Sequence, residues 1–201
     1  MRPPDGSCTD SDVQSTRRQT SGLGGEGRSP RSKLKLNIGC GADVYPGYEG
    51  VDVVPGPSVR YVQDLTKIPW SFDESSVEDI LMHNVLEHLP DTVKVLEELH
   101  RILAPGGTVL IKVPYYNSYG AATDPTHVRF FSEDTMNYFT PDGATEHSGF
   151  NYYTKARFSI RSRALHMRSP LLARAPVSVQ LFFGHHFATI SDITWVLQAI
   201  K

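Results

Sequence analysis

From residue 33 onward the chain predicts a doubly wound α/β domain. Three observations carry that prediction. Short runs rich in Val, Ile and Leu recur between turn signals. The run TVLIKVP, residues 108–114, is almost unbroken in apolar character, as a strand covered on both faces of a parallel sheet should be. A helical segment separates the fourth run from the fifth, so strands and helices alternate.

Each element has its own signal. KLKLNIG reads as a buried strand ending in glycine. YEGVDVV, VRYVQDL and VEDILMHNV read as three further strands. In DTVKVLEELHRIL the apolar residues Val93, Leu96, Leu99 and Leu103 fall close to helical spacing, and Asp91 is placed to cap the N-terminus. APGG should stop this helix, because Pro105 cannot continue it and glycine supplies a free turn. A long aromatic connection follows TVLIKVP, with a short helix expected near SEDTMNYF. ARFSIRSRALHM and SDITWVLQAIK read as two closing strands. No internal repeat is visible.

Composition sets the class. The 201 residues fit one domain of ordinary size, large enough to bury a core without disulfides or metals. Twenty basic and 22 acidic residues give a net charge of −2, so no global field marks a nucleic-acid binder. Two cysteines, Cys8 and Cys40, lie far apart and imply a reducing compartment. No secretory apolar region follows Met1. The most apolar stretch, PLLARAPVSVQLFFGHHF, is broken by Arg174, Pro176 and Gln180. The expectation is a soluble, cytoplasmic protein without a membrane span. Residues 1–32, rich in Ser, Gly, Arg and Pro, are expected to form a disordered tail ahead of a domain at 33–201.

Five pieces occur in a telling order: LNIGCG, GVDVV, VQDLTKIPW, DILMHNVLEHL and ELHRILAPGGTVLIKVP. In that order the chain resembles the class I S-adenosylmethionine-dependent methyltransferases of the type 11 kind. The resemblance implies a Rossmann-like, mostly parallel seven-stranded sheet with an antiparallel last strand. It implies S-adenosyl-L-methionine as cofactor. It also implies a small-molecule acceptor, methylated at a hydroxyl or an amine, with nucleic acid not the expected partner.

Gly39 and Gly41 allow backbone to approach a ligand closely, or they simply make a tight turn. Cys40 between them reads as a packing residue, since nothing near it in sequence would activate a thiol. Asp52 ends the second strand, followed by Val53, where an acid can accept from both ribose hydroxyls. The resemblance places Asp64 on the adenine amino group with Leu65 beside the ring; an N-cap is the alternative for Asp64. It places His83 or Asn84 at the methionine end.

The loop between Gly39 and Asp52 is short. A dinucleotide fold places its ribose acid about 20 residues past the first glycine, because a crossover helix intervenes. Here the separation is 13 positions, Pro46 and Gly47 disfavour a full helix, and the third glycine position, 44, holds Val. The pyrophosphate of NAD needs that helix N-terminus, whereas S-adenosylmethionine carries no phosphate. A shortened first helix therefore disfavours NAD and tolerates the methyl donor.

The candidate catalytic residues are Glu87, His88 and His127. Asn84, Glu87 and His88 resemble the Glu-x-x-Glu-His metal motif of small-RNA 3′-terminal 2′-O-methyltransferases and ubiquinone-pathway O-methyltransferases, in which a further histidine downstream completes the site; His127 is the candidate here. Here Asn84 replaces the first acid, which lowers affinity for a hard cation. A loop-fixing role for Glu87 and His88 is the alternative, and no metal is assigned. His127, in DPTHVRFF, reads as a general base or as a loop histidine bonded to backbone. Residues 115–153 are crowded with aromatic rings and form the expected lid over the acceptor, half of them or more serving as ordinary core. Arg157, Arg161 and Arg163 share one face of a strand, as a solvated edge or as a contact for an acidic partner. Two other functions fit less of the pattern: a metal-assisted RNA 2′-O-methyltransferase, and a non-catalytic binding module on the same fold.

Overall fold

The computed structural model describes residues 34–141 and 152–201. The tail expected over 1–32 and part of the aromatic lid fall outside these residues. The described chain forms a seven-stranded sheet: β1 (Leu34–Ile38), β2 (Glu49–Asp52), β3 (Val59–Val62), β4 (Val77–His83), β5 (Leu103–Pro114), β6 (Arg157–Met167) and β7 (Ile190–Ile200). Their order is β3-β2-β1-β4-β5-β7-β6. The first five strands pair in parallel, and β7 runs antiparallel to both neighbours. This is the Rossmann-like sheet expected.

The core follows from register. Val51, Ile38, Met82, Ile111 and Trp195 are partners across five adjacent strands, and all are fully buried. Leu36, Ile80, Val109 and Leu197 form the row behind them. Helix α1 (Thr92–Ile102) adds Val95, Leu96, Leu99 and Ile102 to the same cluster. Each such side chain contributes about 1.5–3 kcal/mol on burial. Asp91 caps α1 as expected, its side chain accepting from the Lys94 amide at 3.0 Å.

Several details differ from the sequence expectation. APGG does not form a loop after α1. The helix ends at Ile102 and β5 starts at once, so Ala104–Gly107 lie inside the strand as a bulge. The register there jumps from Val77 opposite Leu103 to Asp79 opposite Thr108. Between β1 and β2 the shortening of the first helix is complete: the chain makes only turns, with Asp43 N–H on Cys40 O at 2.8 Å and Tyr48 N–H on Tyr45 O at 3.0 Å. The helix near SEDTMNYF is a 3-10 turn over Thr135–Phe139. The stretch PLLARAPVSVQLFFGHHF folds as two helices between β6 and β7, Pro170–Ala173 and Val177–Phe187. Among the described residues, no helix is long and apolar enough to cross a membrane.

Candidate functional site

The chain turns away in opposite directions from β1 and β4, which are neighbours at the centre of the sheet. Ligands of open α/β sheets bind outside the carboxyl ends of the strands at such a reversal. Four predicted residues stand there: Gly39 after β1, Asp52 at the end of β2, and His83 and Asn84 at the end of β4.

Gly39 has φ +68°, and an added Cβ would lie 2.1 Å from Val85 Cγ2, so only glycine fits without displacement. Its N–H donates to Val51 O at 2.7 Å. Gly41, φ +51°, faces open space. Its N–H donates to Asp52 Oδ2 at 2.8 Å, while Val54 N–H donates to Oδ1 at 3.0 Å. Two backbone amides thus hold the Asp52 carboxylate in place, and each oxygen keeps capacity for a further donor. Ser58 Oγ donates to Gly41 O at 2.6 Å, and Asn37 Nδ2 to Asp43 O at 3.3 Å. Cys40 is buried and reduced, and burial, with the Asp52 charge added, pushes its thiol above the ordinary range. That suits packing rather than nucleophilic work.

The third strand end is organised differently. Asp64 Oδ1 accepts from Thr66 N–H at 3.0 Å and from its Oγ1 at 2.6 Å, which holds the carboxyl below its usual value. A turn, not a helix, follows it. Leu65 is buried and lines a cleft of about 340 Å³ with Thr66, Ile68, Leu89, Pro90 and Lys94. Val53 is exposed beside Asp52.

At the end of β4, Asn84 takes φ +53°, a left-handed conformation that Asn tolerates better than most residues. Its N–H donates to Lys112 O at 2.8 Å. The reversal throws the chain into the 3-10 turn Leu86–His88. Tyr45, from the short loop, reaches His83: its hydroxyl lies 3.5 Å from Nδ1, with the rings nearly perpendicular. Tyr45 and Asn37 escaped the sequence reading. An uncharged polar residue between Leu36 and Ile38, at the apolar end of KLKLNIG, was the available signal for Asn37; Tyr45 had none.

The predicted catalytic residues converge across 40 positions of sequence. Glu87 O accepts from the amides of Val128 and Arg129 at 2.9 and 3.1 Å, docking the loop after β5 onto the 3-10 turn. This brings His127 Nε2 to 3.9 Å from Glu87 Oε1, and the His127 and His88 rings meet edge to face at 4.7 Å. Glu87 is 1% exposed, and neither carboxylate oxygen has a hydrogen-bond partner. Its pKa is raised to about 7, first by burial and further by the charges of Asp192 and Asp124; its own backbone amide offsets part of this.

The aromatic segment divides. Tyr115, Phe131 and Phe139 are core, whereas Tyr116, Tyr119, Phe130, Tyr152 and Tyr153 are exposed. Phe130, Tyr138 and Tyr153 line an apolar cavity of about 200 Å³ against Thr92 and Val93 of α1. Arg161 bonds Gln198, and Arg163 donates to Glu133 O at 2.9 Å, so both engage their own domain.

Residues 49–111, from β2 into β5, match the family model of the methyltransferase domain, type 11. That match spans 63 of the 201 residues, about a third of the chain. Two curated methyltransferases resemble parts of the chain. Methyltransferase str2 of Strobilurus tenacellus is 32% identical over 96 residues, 41% of this chain and 35% of that protein. Phosphoethanolamine N-methyltransferase 2 of Caenorhabditis elegans is 33% identical over 55 residues, 27% of this chain and 12% of that protein. The chain thus matches about a third or less of the length of these curated relatives. The YcgJ protein of Bacillus subtilis shares the fold at TM-score 0.54 and 15% identity, over 84% of this chain and 92% of its own. An S-adenosylmethionine-dependent methyltransferase of Archaeoglobus fulgidus does so at 0.53 and 14%, over 83% and 86%. The methyltransferase match covers β2 to β5 only, so Gly39, Gly41 and His127 lie outside it.

Proposed function

We propose that this chain is a cytoplasmic S-adenosylmethionine-dependent methyltransferase acting on a small-molecule hydroxyl or amine. The observation that carries the reading is the closure of Asp52 onto Gly41. An acid fixed by two amides beside an open, glycine-lined loop is ready to accept ribose hydroxyls without reorganising. S-adenosylmethionine supplies a methyl group activated on a sulfonium. In this reading Gly39, Gly41, Asp52, Val53, His83 and Asn84 hold it, with Cys40 packed beneath the loop. Asp64 and Leu65 border the adenine side, Leu65 lining the 340 Å³ cleft. Glu87, His88 and His127 stand on the acceptor side and ease its ionisation. A free, buried Cys40 suits the reducing cytoplasm.

The experiment is calorimetric titration with S-adenosylmethionine and its demethylated product, with NAD as control. Micromolar binding of the first two and none of NAD supports the reading. No binding gives the lead to a non-catalytic module. Asp52→Ala should weaken cofactor binding by about 1–3 kcal/mol, because the ribose hydroxyls lose a charged acceptor. Unchanged affinity would remove Asp52 from the site. His127→Ala should leave cofactor binding intact and slow transfer about 100-fold. Equal single-turnover rates would make His127 structural.

A further inference from the structure

We infer that Glu87, His88 and His127 form a binding site for one divalent transition-metal ion. Each side chain offers a ligand atom, and the three atoms lie within 4.8 Å of one another. Donors held about 2.0–2.2 Å from a shared ion lie roughly 3.3–4.2 Å apart, so small side-chain rotations would close the set.

The decisive observation is Glu87. A carboxylate with 1% exposure and no hydrogen bond to either oxygen is costly in any fold. Such a group is relieved by a proton or by a bound cation. The neighbours that face it are His127, 3.9 Å away, and the acids Asp124 and Asp192, which worsen its situation. A cation answers all of these charges together.

The histidines are prepared for the same role. His127 Nδ1 lies 3.2 Å from Ala121 O, a carbonyl that can only accept, so Nδ1 carries the proton and Nε2 keeps its lone pair. His88 Nδ1 lies 2.9 Å from Thr126 Oγ1, whose own proton goes to Asp124 Oδ1 at 2.6 Å. Nδ1 of His88 is therefore the donor, and its Nε2 is also free to ligate. Metal-binding histidines are usually fixed by such a partner on the other ring nitrogen. Asp124 Oδ2, 3.9 Å from His127 Nε2, stands close enough to support the site from outside.

The donor set selects the metal. Two imidazoles and one carboxylate suit zinc, manganese, cobalt or ferrous iron, and they suit magnesium and calcium poorly. Three protein ligands leave coordination positions open. On the methyl-transfer reading, an acceptor hydroxyl on an open position loses its proton to water more readily. Its oxygen then forms the new bond to the methyl carbon as the carbon–sulfur bond breaks toward sulfur.

The test is titration of the full chain, stripped with a chelator, with zinc, cobalt, manganese and magnesium. Calorimetry, thermal shift and the visible spectrum of the cobalt form are the readouts. One equivalent of zinc and of cobalt should bind at least tenfold more tightly than magnesium, and the cobalt form should show visible absorption. Glu87→Gln and His127→Ala should each weaken zinc at least tenfold. Glu87→Gln is nearly isosteric and should fold without metal, so loss of zinc binding there cannot be put down to unfolding. Absence of zinc and cobalt binding, or affinities unmoved by both substitutions, overturns the site. S-adenosylmethionine titrated into the same samples separates the two ideas. Cofactor binding without metal binding overturns the metal site alone; metal binding without cofactor binding overturns the methyltransferase reading and leaves the metal site standing.

Discussion

Glu87→Gln will flatten the pH dependence of stability in the metal-free protein. The folded state holds the Glu87 proton up to about pH 7, whereas the unfolded chain releases it near its ordinary 4.5. Between those values the folded state binds more protons, so stability falls as pH rises. The contribution is fully present below pH 4.5 and is lost by the time pH has passed 7. Its size is on the order of 3 kcal/mol, from a gap of about 2.5 pH units at 1.36 kcal/mol each. The glutamine variant has no proton to lose and should keep what the native chain gives up. Denaturant unfolding of both proteins at pH 5 and pH 8, in chelator, measures the difference. Parallel pH profiles would show that Glu87 is not desolvated as the structure has it.

Arg101→Ala will destabilise the domain by about 3 kcal/mol. Arg101 forks onto Glu98, with Nε at 2.9 Å from Oε2 and Nη2 at 2.6 Å from Oε1. The same guanidinium donates to the carbonyls of Trp70 and Phe72, and Glu98 Oε1 also accepts the Trp70 amide at 2.6 Å. Glu98 is buried, so removing its partner strands a charge inside and frees two carbonyls. Breaking one half of a buried pair costs about 3–5 kcal/mol, and partial exposure of Arg101 favours the lower end. In a domain of this size that lowers Tm by roughly 6–12 °C. Arg101→Lys should recover part of the loss, because it keeps the charge and loses the fork. A loss under about 1 kcal/mol in the alanine variant would mean that the 65–72 segment is held by its apolar side chains alone.

The expected strands and the long helix were legible because each carries a local signal. Apolar runs specify β1, β4 and β5, helical spacing specifies α1, and Asp91 caps it. The signals that failed were equally local in appearance. APGG looked like a loop, yet Leu103 pairs with Val77 and draws the strand back over it, a tertiary override of turn chemistry. PLLARAPVSVQLFFGHHF has no clear periodicity, because its helix is apolar on most sides, so spacing could not announce it.

The site was legible in its residue types and not in its geometry. Sequence alone determined that glycines would open the loop after β1, that an acid would end β2, and that no crossover helix would fit in 13 positions. Backbone sterics and chain length govern those, and both are local. Only the tertiary structure decided that Gly41 would clasp Asp52, that Tyr45 would reach His83, and that His127 would come to face Glu87 from 40 positions away. Those contacts depend on how the loop after β5 docks on the turn after β4. That docking rests in large part on two amides finding one carbonyl, a pairing of backbone groups that every residue carries, with Thr126 and His88 adding a side-chain contact.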